Sequence, residues 1–96
     1  SGQIPLDPSS MTMVEGDISA EAEQVFSNLS AVAEAAGGTL DNAVKINISL
    51  TDLGDFEAIN AVMSRHFEEP YPARACVQVA ALPKGARIEV EAILSL

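Results

Sequence analysis

The spacing of apolar residues predicts a first amphipathic helix over residues 18–36. Apolar side chains recur three, four and seven positions apart, as on one face of a helix: Val25, Phe26, Leu29, Val32, Ala33 and Ala36. Asp17 or Ser19 can cap its first turn, and Glu21 and Glu23 suit the positive end of the helix dipole. Gly37-Gly38 is a typical helix stop.

A second amphipathic helix is predicted to start at Asp52 or Asp55 and to run to about Phe67. Its apolar line consists of Phe56, Ile59, Met63 and Phe67, with Val62 beside it. Pro70 and Pro72 follow and prevent its continuation.

Alternation of apolar and polar residues predicts β-strands in other parts of the chain. In residues 43–50, one face carries Val44, Ile46, Ile48 and Leu50, and the other carries Lys45, Asn47 and Ser49. Residues 73–81 and 87–94 form two further predicted strands, and the Pro83-Lys84-Gly85 turn between them favours a hairpin. Residues 1–5 resemble the end of a strand, and residues 5–18 have the composition of a loop.

The order strand-helix-strand-helix-strand-strand predicts one α+β domain over residues 1–96, with a mixed sheet and both helices on one face. In the strand 73–81, Arg74, Cys76 and Gln78 share one face. Ala75, Val77 and Val79 share the other face, which we expect to cover the helices. Arg74 is then expected on the opposite side of the sheet, facing water or another subunit.

Composition narrows the possible partners. The 96 residues are 48% hydrophobic, which is apolar for so small a domain and favours an oligomer. A formal net charge of −9 disfavours nucleic-acid binding. There is no transmembrane run, so no membrane partner is expected, and one cysteine fits a reducing compartment such as the cytoplasm.

Arg74 is the strongest candidate for ligand binding. Its neighbours Ala73 and Ala75 are small, and a guanidinium can bind a carboxylate through two parallel hydrogen bonds. The alternative is structural, because Arg74 could pair with Glu89 or Glu91 across the predicted hairpin.

Glu89 and Glu91 are candidates for acid–base work. They share a strand face with Arg87 and Ile93, and two adjacent carboxylates repel each other, so one could hold or activate a water molecule. The alternative is a solvated edge strand whose charges block aggregation.

The other reactive residue types have plainer interpretations. Cys76 lacks a nearby base, so it is read as a pocket-wall residue rather than a nucleophile. His66 is expected on a helix surface, and the sequence favours an ordinary polar role for Asn60 over a pocket contact. No metal-ligand spacing, phosphate-binding glycine loop or Ser-His-Asp arrangement is visible.

Three segments resemble the reactive intermediate deaminase family (Rid, also called YjgF-type). They are Ser1-Gly2-Gln3-Ile4-Pro5, Asp55-Phe56 followed by Asn60, and the most specific one, Pro72-Ala73-Arg74 through Ile88-Glu89-Val90-Glu91. The resemblance implies a chorismate-mutase-like α+β fold and a homotrimer with clefts between subunits. It also implies hydrolysis of enamine or imine intermediates such as 2-aminoacrylate to 2-keto acids and ammonia, without a cofactor.

By position, the resemblance assigns Arg74 to the substrate carboxylate and Glu89 to the attacking water. Cys76 would line the pocket, backbone groups near Gly2 and Cys76 would contact the substrate, and Tyr71 would wall the cleft. Members of the family normally carry further N-terminal strands and a pocket tyrosine, so we expect residues before Ser1 to be missing from this sequence.

Three other functions remain open at this point. The clefts could bind a 2-keto acid or a similar small carboxylate without turnover, and the same arginine would serve. RNA cleavage, ascribed to some relatives, is opposed by the acidic charge. A chaperone-like holdase role would use an exposed apolar edge.

Overall fold

The computed structural model describes residues 2–96, which form two α-helices and six strands. The helices are α1 (Ile18–Ala35) and α2 (Phe56–His66). The strands are β1 (Gly2–Gln3), β2 (Leu6–Asp7), β3 (Thr12–Met13), β4 (Ala43–Leu50), β5 (Ala73–Gln78) and β6 (Ile88–Leu94). The strand predicted over 43–50 has these bounds, and the two later strands are shorter than predicted.

The main sheet has the order β1-β6-β4-β5, and β2 and β3 form a separate small pair. β4 pairs in parallel with β5 and antiparallel with β6. The predicted hairpin between β5 and β6 is therefore wrong, because β4 lies between them. β4 and β6 take the two central positions, and Ile46, Ile48 and Leu50 of β4 are almost completely buried.

Both helices pack on one face of this sheet, as predicted. The core between the layers comprises Ala22, Val25, Phe26, Leu29, Leu40, Ile46, Ile48, Leu50, Ile59, Val62, Met63, Phe67, Ile88 and Val90. Burial of this apolar surface is the main driving force for the fold.

The helix ends follow the expected capping chemistry. Asp17 caps α1, since its Oδ1 accepts a hydrogen bond of 2.9 Å from the Ala20 amide. After α1, Gly37 adopts φ +90°, and the Gly38 amide donates to the Ala33 carbonyl at 2.9 Å. Asp52 caps the short 3₁₀ turn Leu53–Asp55 that leads into α2.

The predicted faces of β5 are reversed in the structure. Arg74 and Cys76 are in register with Ile46 and Ile48, so they lie on the helix-covered face. Val77 lies on the open face and is 53% exposed. Alternation within one strand gives two faces but does not say which one the helices cover.

Two further side chains depart from the predicted alternation. The pairing of β4 with β6 shifts between Ala43 and Lys45, and this irregularity leaves Val44 exposed while Ala43 packs against the core. Arg87 precedes β6 and does not share the open face with Glu89. Its Nε and backbone amide instead donate to the carboxylate of Glu21 in α1.

No helix within residues 2–96 combines the length and apolar character needed to cross a membrane.

Candidate functional site

A cleft of about 510 Å³ opens between α2 and the start of β5. Its walls are Asn60, Met63, Ser64, Tyr71, Pro72 and Arg74. The first three lie on one face of α2, at the three- and four-residue spacing of a helix. The other three come from the segment that enters the edge strand β5. Both walls of the cleft thus combine polar and apolar side chains, and Arg74 is the charged residue among them.

Three residues of α2 contact the Arg74 guanidinium. Its Nη1 donates a hydrogen bond to Asn60 Oδ1 and lies 4.0 Å from Met63 Sδ. Its Cζ lies 4.9 Å from the centroid of the Phe56 ring, within the range of a cation–π contact. These contacts hold the positive charge at the mouth of the cleft.

Asn60 is a cleft residue, contrary to the ordinary polar role that the sequence favoured. Phe56 and Met63 were assigned to the apolar line of α2, and they also contact Arg74. The four-residue spacing of Phe56 and Asn60 places both residues on one face of α2, and this spacing was the sequence signal that could have identified Asn60 as a cleft residue. What the spacing did not reveal is that β5 brings Arg74 to that face.

Cys76 packs against the core on the same face as Arg74. Burial raises the pKa of the Cys76 thiol above its ordinary value of 9.0, and the positive charge of Arg74 opposes this only in part. The thiol is therefore neutral near pH 7, which is unfavourable for a nucleophile.

Glu89 and Gly2 lie together on the open face of the sheet. A Cβ added to Gly2 would lie 3.6 Å from Glu89 Cδ, so Gly2 lies directly beside this carboxylate. Glu91 lies on the same face and accepts a hydrogen bond of 2.9 Å from Asn47 Nδ2.

The predicted site residues therefore fall into two groups. Tyr71 and Arg74 line the cleft, with Cys76 further along β5, whereas Gly2 and Glu89 are on the opposite face and beyond β4. The structural alternative for Arg74 is also wrong, since β4 and the sheet itself separate it from both glutamates. One chain does not bring the two groups together.

His66 is more than a surface residue. Its ring stacks on Phe26 with centroids 5.5 Å apart, and its Nε2 lies 2.9 Å from Glu23 Oε2. It links α2 to α1 and lies outside the cleft. Within residues 2–96, no three His, Cys, Asp or Glu side chains converge to hold a metal ion.

Comparison with protein families gives a match over residues 1–95 to the family described as Endoribonuclease L-PSP. Among curated proteins, the chain is 54% identical over 93 residues to Protein DfrA of Myxococcus xanthus, covering 97% of this chain and 71% of that protein. It is 46% identical to the human 2-iminobutanoate/2-iminopropanoate deaminase, covering 97% of this chain and 68% of the human protein.

Comparison with solved structures also gives similar proteins over nearly the whole chain. RidA from the Antarctic bacterium Psychrobacter superposes with a TM-score of 0.96 at 56% identity, covering all of this chain and 77% of that one. The structure of E. coli TdcF with bound serine gives a TM-score of 0.92 at 40% identity, covering 98% and 76% of the two chains.

Proposed function

This chain belongs to the YjgF/Rid family, and on that premise we propose that it hydrolyses reactive 2-imino acids to 2-keto acids and ammonia. Several relatives bear the name 2-iminobutanoate/2-iminopropanoate deaminase. The observation that carries the proposal is the Arg74 guanidinium, held at the mouth of a cleft large enough for a small carboxylic acid.

Arg74 binds the substrate carboxylate in this proposal. A 2-imino acid carries a carboxylate next to its C=N carbon, so a charge-assisted pair with Arg74 fixes the position of the reacting carbon. Tyr71 and Pro72 supply an apolar wall beside it. Cys76 lies two residues further along β5, and we propose that its backbone contacts the same ligand.

Glu89 holds the attacking water in this proposal, and Gly2 lies beside its carboxylate. Because Glu89 and Arg74 lie on opposite faces of one sheet, we propose that the edge carrying Arg74 in one copy meets the open face carrying Glu89 in another. A homotrimer with clefts between subunits satisfies this requirement, since a cyclic arrangement repeats the same edge-to-face contact.

The chemistry then needs only water and positioned side chains. Glu89 accepts a proton from water as the water oxygen adds to the C=N carbon, and it returns that proton to the nitrogen to give a carbinolamine. The hydroxyl proton of the carbinolamine then passes to the amino nitrogen, the C–N bond breaks, and ammonia and the keto acid are left. The proposed route draws on no cofactor, and the neutral thiol of Cys76 acts as pocket wall.

A coupled assay tests the proposal. A dehydratase generates 2-aminoacrylate from serine, and pyruvate release is followed with and without this protein. We expect faster release, and a loss of about a hundredfold in kcat/KM for Arg74→Ala because two charge-assisted hydrogen bonds disappear. Wild-type acceleration by Arg74→Ala, with unchanged oligomeric state, contradicts the assignment.

A second candidate is binding of a small carboxylate without turnover. It is favoured by the bound serine in the E. coli TdcF structure, since serine also presents a carboxylate. The same cleft and the same arginine would serve this role. Saturable binding of pyruvate that depends on Arg74, together with no acceleration of imine hydrolysis by the wild-type protein, would select this function over the deaminase.

A further inference from the structure

The contacts around Arg74 leave one particular edge of its guanidinium available. Asn60 Oδ1 and Met63 Sδ are both contacted by Nη1. Nε and Nη2 donate no hydrogen bond to any partner within residues 2–96. The N–H bonds of Nε and Nη2 are parallel, and this is an edge on which a carboxylate binds through both oxygens.

We propose that Asn60 is a positioning residue, which holds Nη1 so that the Nε and Nη2 edge of Arg74 points to the carboxylate of the ligand. This inference rests on the proposed role of Arg74 and adds a determinant of affinity on α2. The Phe56 ring restricts the guanidinium from one flat face, and the Asn60 amide oxygen fixes rotation in its plane.

The choice of an amide at this position has a chemical reason. A neutral amide oxygen can accept a hydrogen bond from the guanidinium without cancelling its charge. A carboxylate at residue 60 would bind Nη1 more strongly and would compete with the ligand for the cation. Asn60 therefore fixes Arg74 while leaving its full positive charge for the ligand.

The physical benefit is preorganisation. Arg74 lies on an edge strand and is exposed, so without a partner its side chain would sample many rotamers. Ordering such a side chain on binding costs conformational entropy and so weakens binding. We expect Asn60→Ala to weaken pyruvate binding by about three- to tenfold for this reason. In the deaminase assay, KM should rise while kcat changes little.

Asn60→Asp tests why the acceptor is neutral. Its carboxylate should hold Nη1 but compete with the ligand for the cation, so we expect weaker pyruvate binding than in Asn60→Ala at pH 7, with recovery as the new carboxyl is protonated at lower pH. If Asn60 only anchors Arg74 for stability, Asn60→Ala should lower the free energy of unfolding and leave pyruvate affinity unchanged. Ala61→Asp is the matched control, since it adds the same charge to an exposed neighbouring position of α2.

The experiment measures pyruvate binding by calorimetry for the assembled wild-type protein and the variants Asn60→Ala, Asn60→Asp, Ala61→Asp and Arg74→Ala. Nitrogen NMR of the Arg74 guanidinium is recorded alongside. We expect slow rotation and separate Nη signals in the wild type, and averaged signals in Asn60→Ala. Wild-type affinity in Asn60→Ala, or averaged Nη signals already in the wild type, overturns the positioning role.

Failure of this inference is distinguishable from failure of the proposed function. If Arg74→Ala loses pyruvate binding while Asn60→Ala keeps it, Arg74 binds the carboxylate without help from Asn60. If Arg74→Ala retains both pyruvate binding and imine hydrolysis, the ligand-binding role of Arg74 itself is wrong.

Discussion

At the residue scale, Glu21 is the one charged residue that is buried within residues 2–96, with 6% of its surface exposed. Its carboxylate accepts hydrogen bonds from the backbone amide and the Nε of Arg87, whose Nη2 also donates to the Gly16 carbonyl at 2.8 Å. These bonds tie the start of α1 to the residue that precedes β6. They therefore position the strand that carries Glu89.

We predict that Glu21→Gln lowers the free energy of unfolding by about 1–3 kcal/mol, because a buried charged acceptor is replaced by a weaker one. Urea denaturation measures this change. Glu34→Gln, on the exposed side of the same helix, is the matched control and should change stability by less than about 0.5 kcal/mol. Equal urea midpoints for the two variants would show that the Glu21–Arg87 pair does not stabilise the fold.

At the element scale, α1 and α2 are joined by a polar clamp that surrounds Glu23. Glu23 accepts a hydrogen bond of 2.9 Å from Arg65 Nη2 and lies 2.9 Å from His66 Nε2. The His66 hydrogen bond, followed by that of Arg65, lowers the pKa of the Glu23 carboxyl below its ordinary value of 4.5. The clamp orients α2, which carries Asn60 toward the cleft.

The lowered pKa of Glu23 predicts how the clamp depends on pH. The clamp stabilises the fold fully above pH 4.5, which is the pKa expected for Glu23 in the unfolded chain. This stabilisation is lost as the pH falls through the lower pKa of Glu23 in the folded state. Since Glu23 is partly exposed, Glu23→Gln should cost no more than about 1 kcal/mol at pH 6. The stability difference between wild type and Glu23→Gln should shrink below pH 4.5; a difference that stays constant down to pH 3 contradicts the clamp.

At the scale of the whole molecule, the open face of the sheet carries exposed apolar residues beside the second group of site residues. Val77 and Ile93 are 53% and 54% exposed, and Glu89 lies on the same face. An apolar surface of this kind is commonly covered by another protein surface. The proposed contact between copies would cover this face and bring Glu89 to the Arg74 of a neighbour.

A mixing experiment tests whether two copies share each site. We predict that Arg74→Ala and Glu89→Gln each lose nearly all activity alone. When the two variants co-assemble in equal amounts, about a quarter of the sites should regain activity. In a cyclic assembly with random mixing, one contact in four combines an intact arginine from one copy with an intact glutamate from its neighbour. The assay is imine hydrolysis after co-expression. Mixed oligomers that stay inactive would show that both residues must come from one chain.

The sequence alone predicted much of the local structure and supplied the candidate site residues, whose roles stay predictions. Apolar periodicity depends only on neighbouring positions, so it located α1, α2 and the full extent of β4. The motif around Arg74 indicated the family, which the comparisons confirm. The roles of Arg74 and Glu89 stay predictions.

Only the tertiary structure decided which side chains meet. A turn sequence such as Pro83-Lys84-Gly85 is compatible with a hairpin, but β4 pairs on both of its edges and separates β5 from β6, with Ile46, Ile48 and Leu50 buried. That pairing turns Arg74 toward α2 and Asn60, and it leaves Glu89 on the other face. Local sequence determines where a strand runs and that its faces alternate. Which face is buried depends on long-range packing, and the pattern within one strand contains no information about that packing.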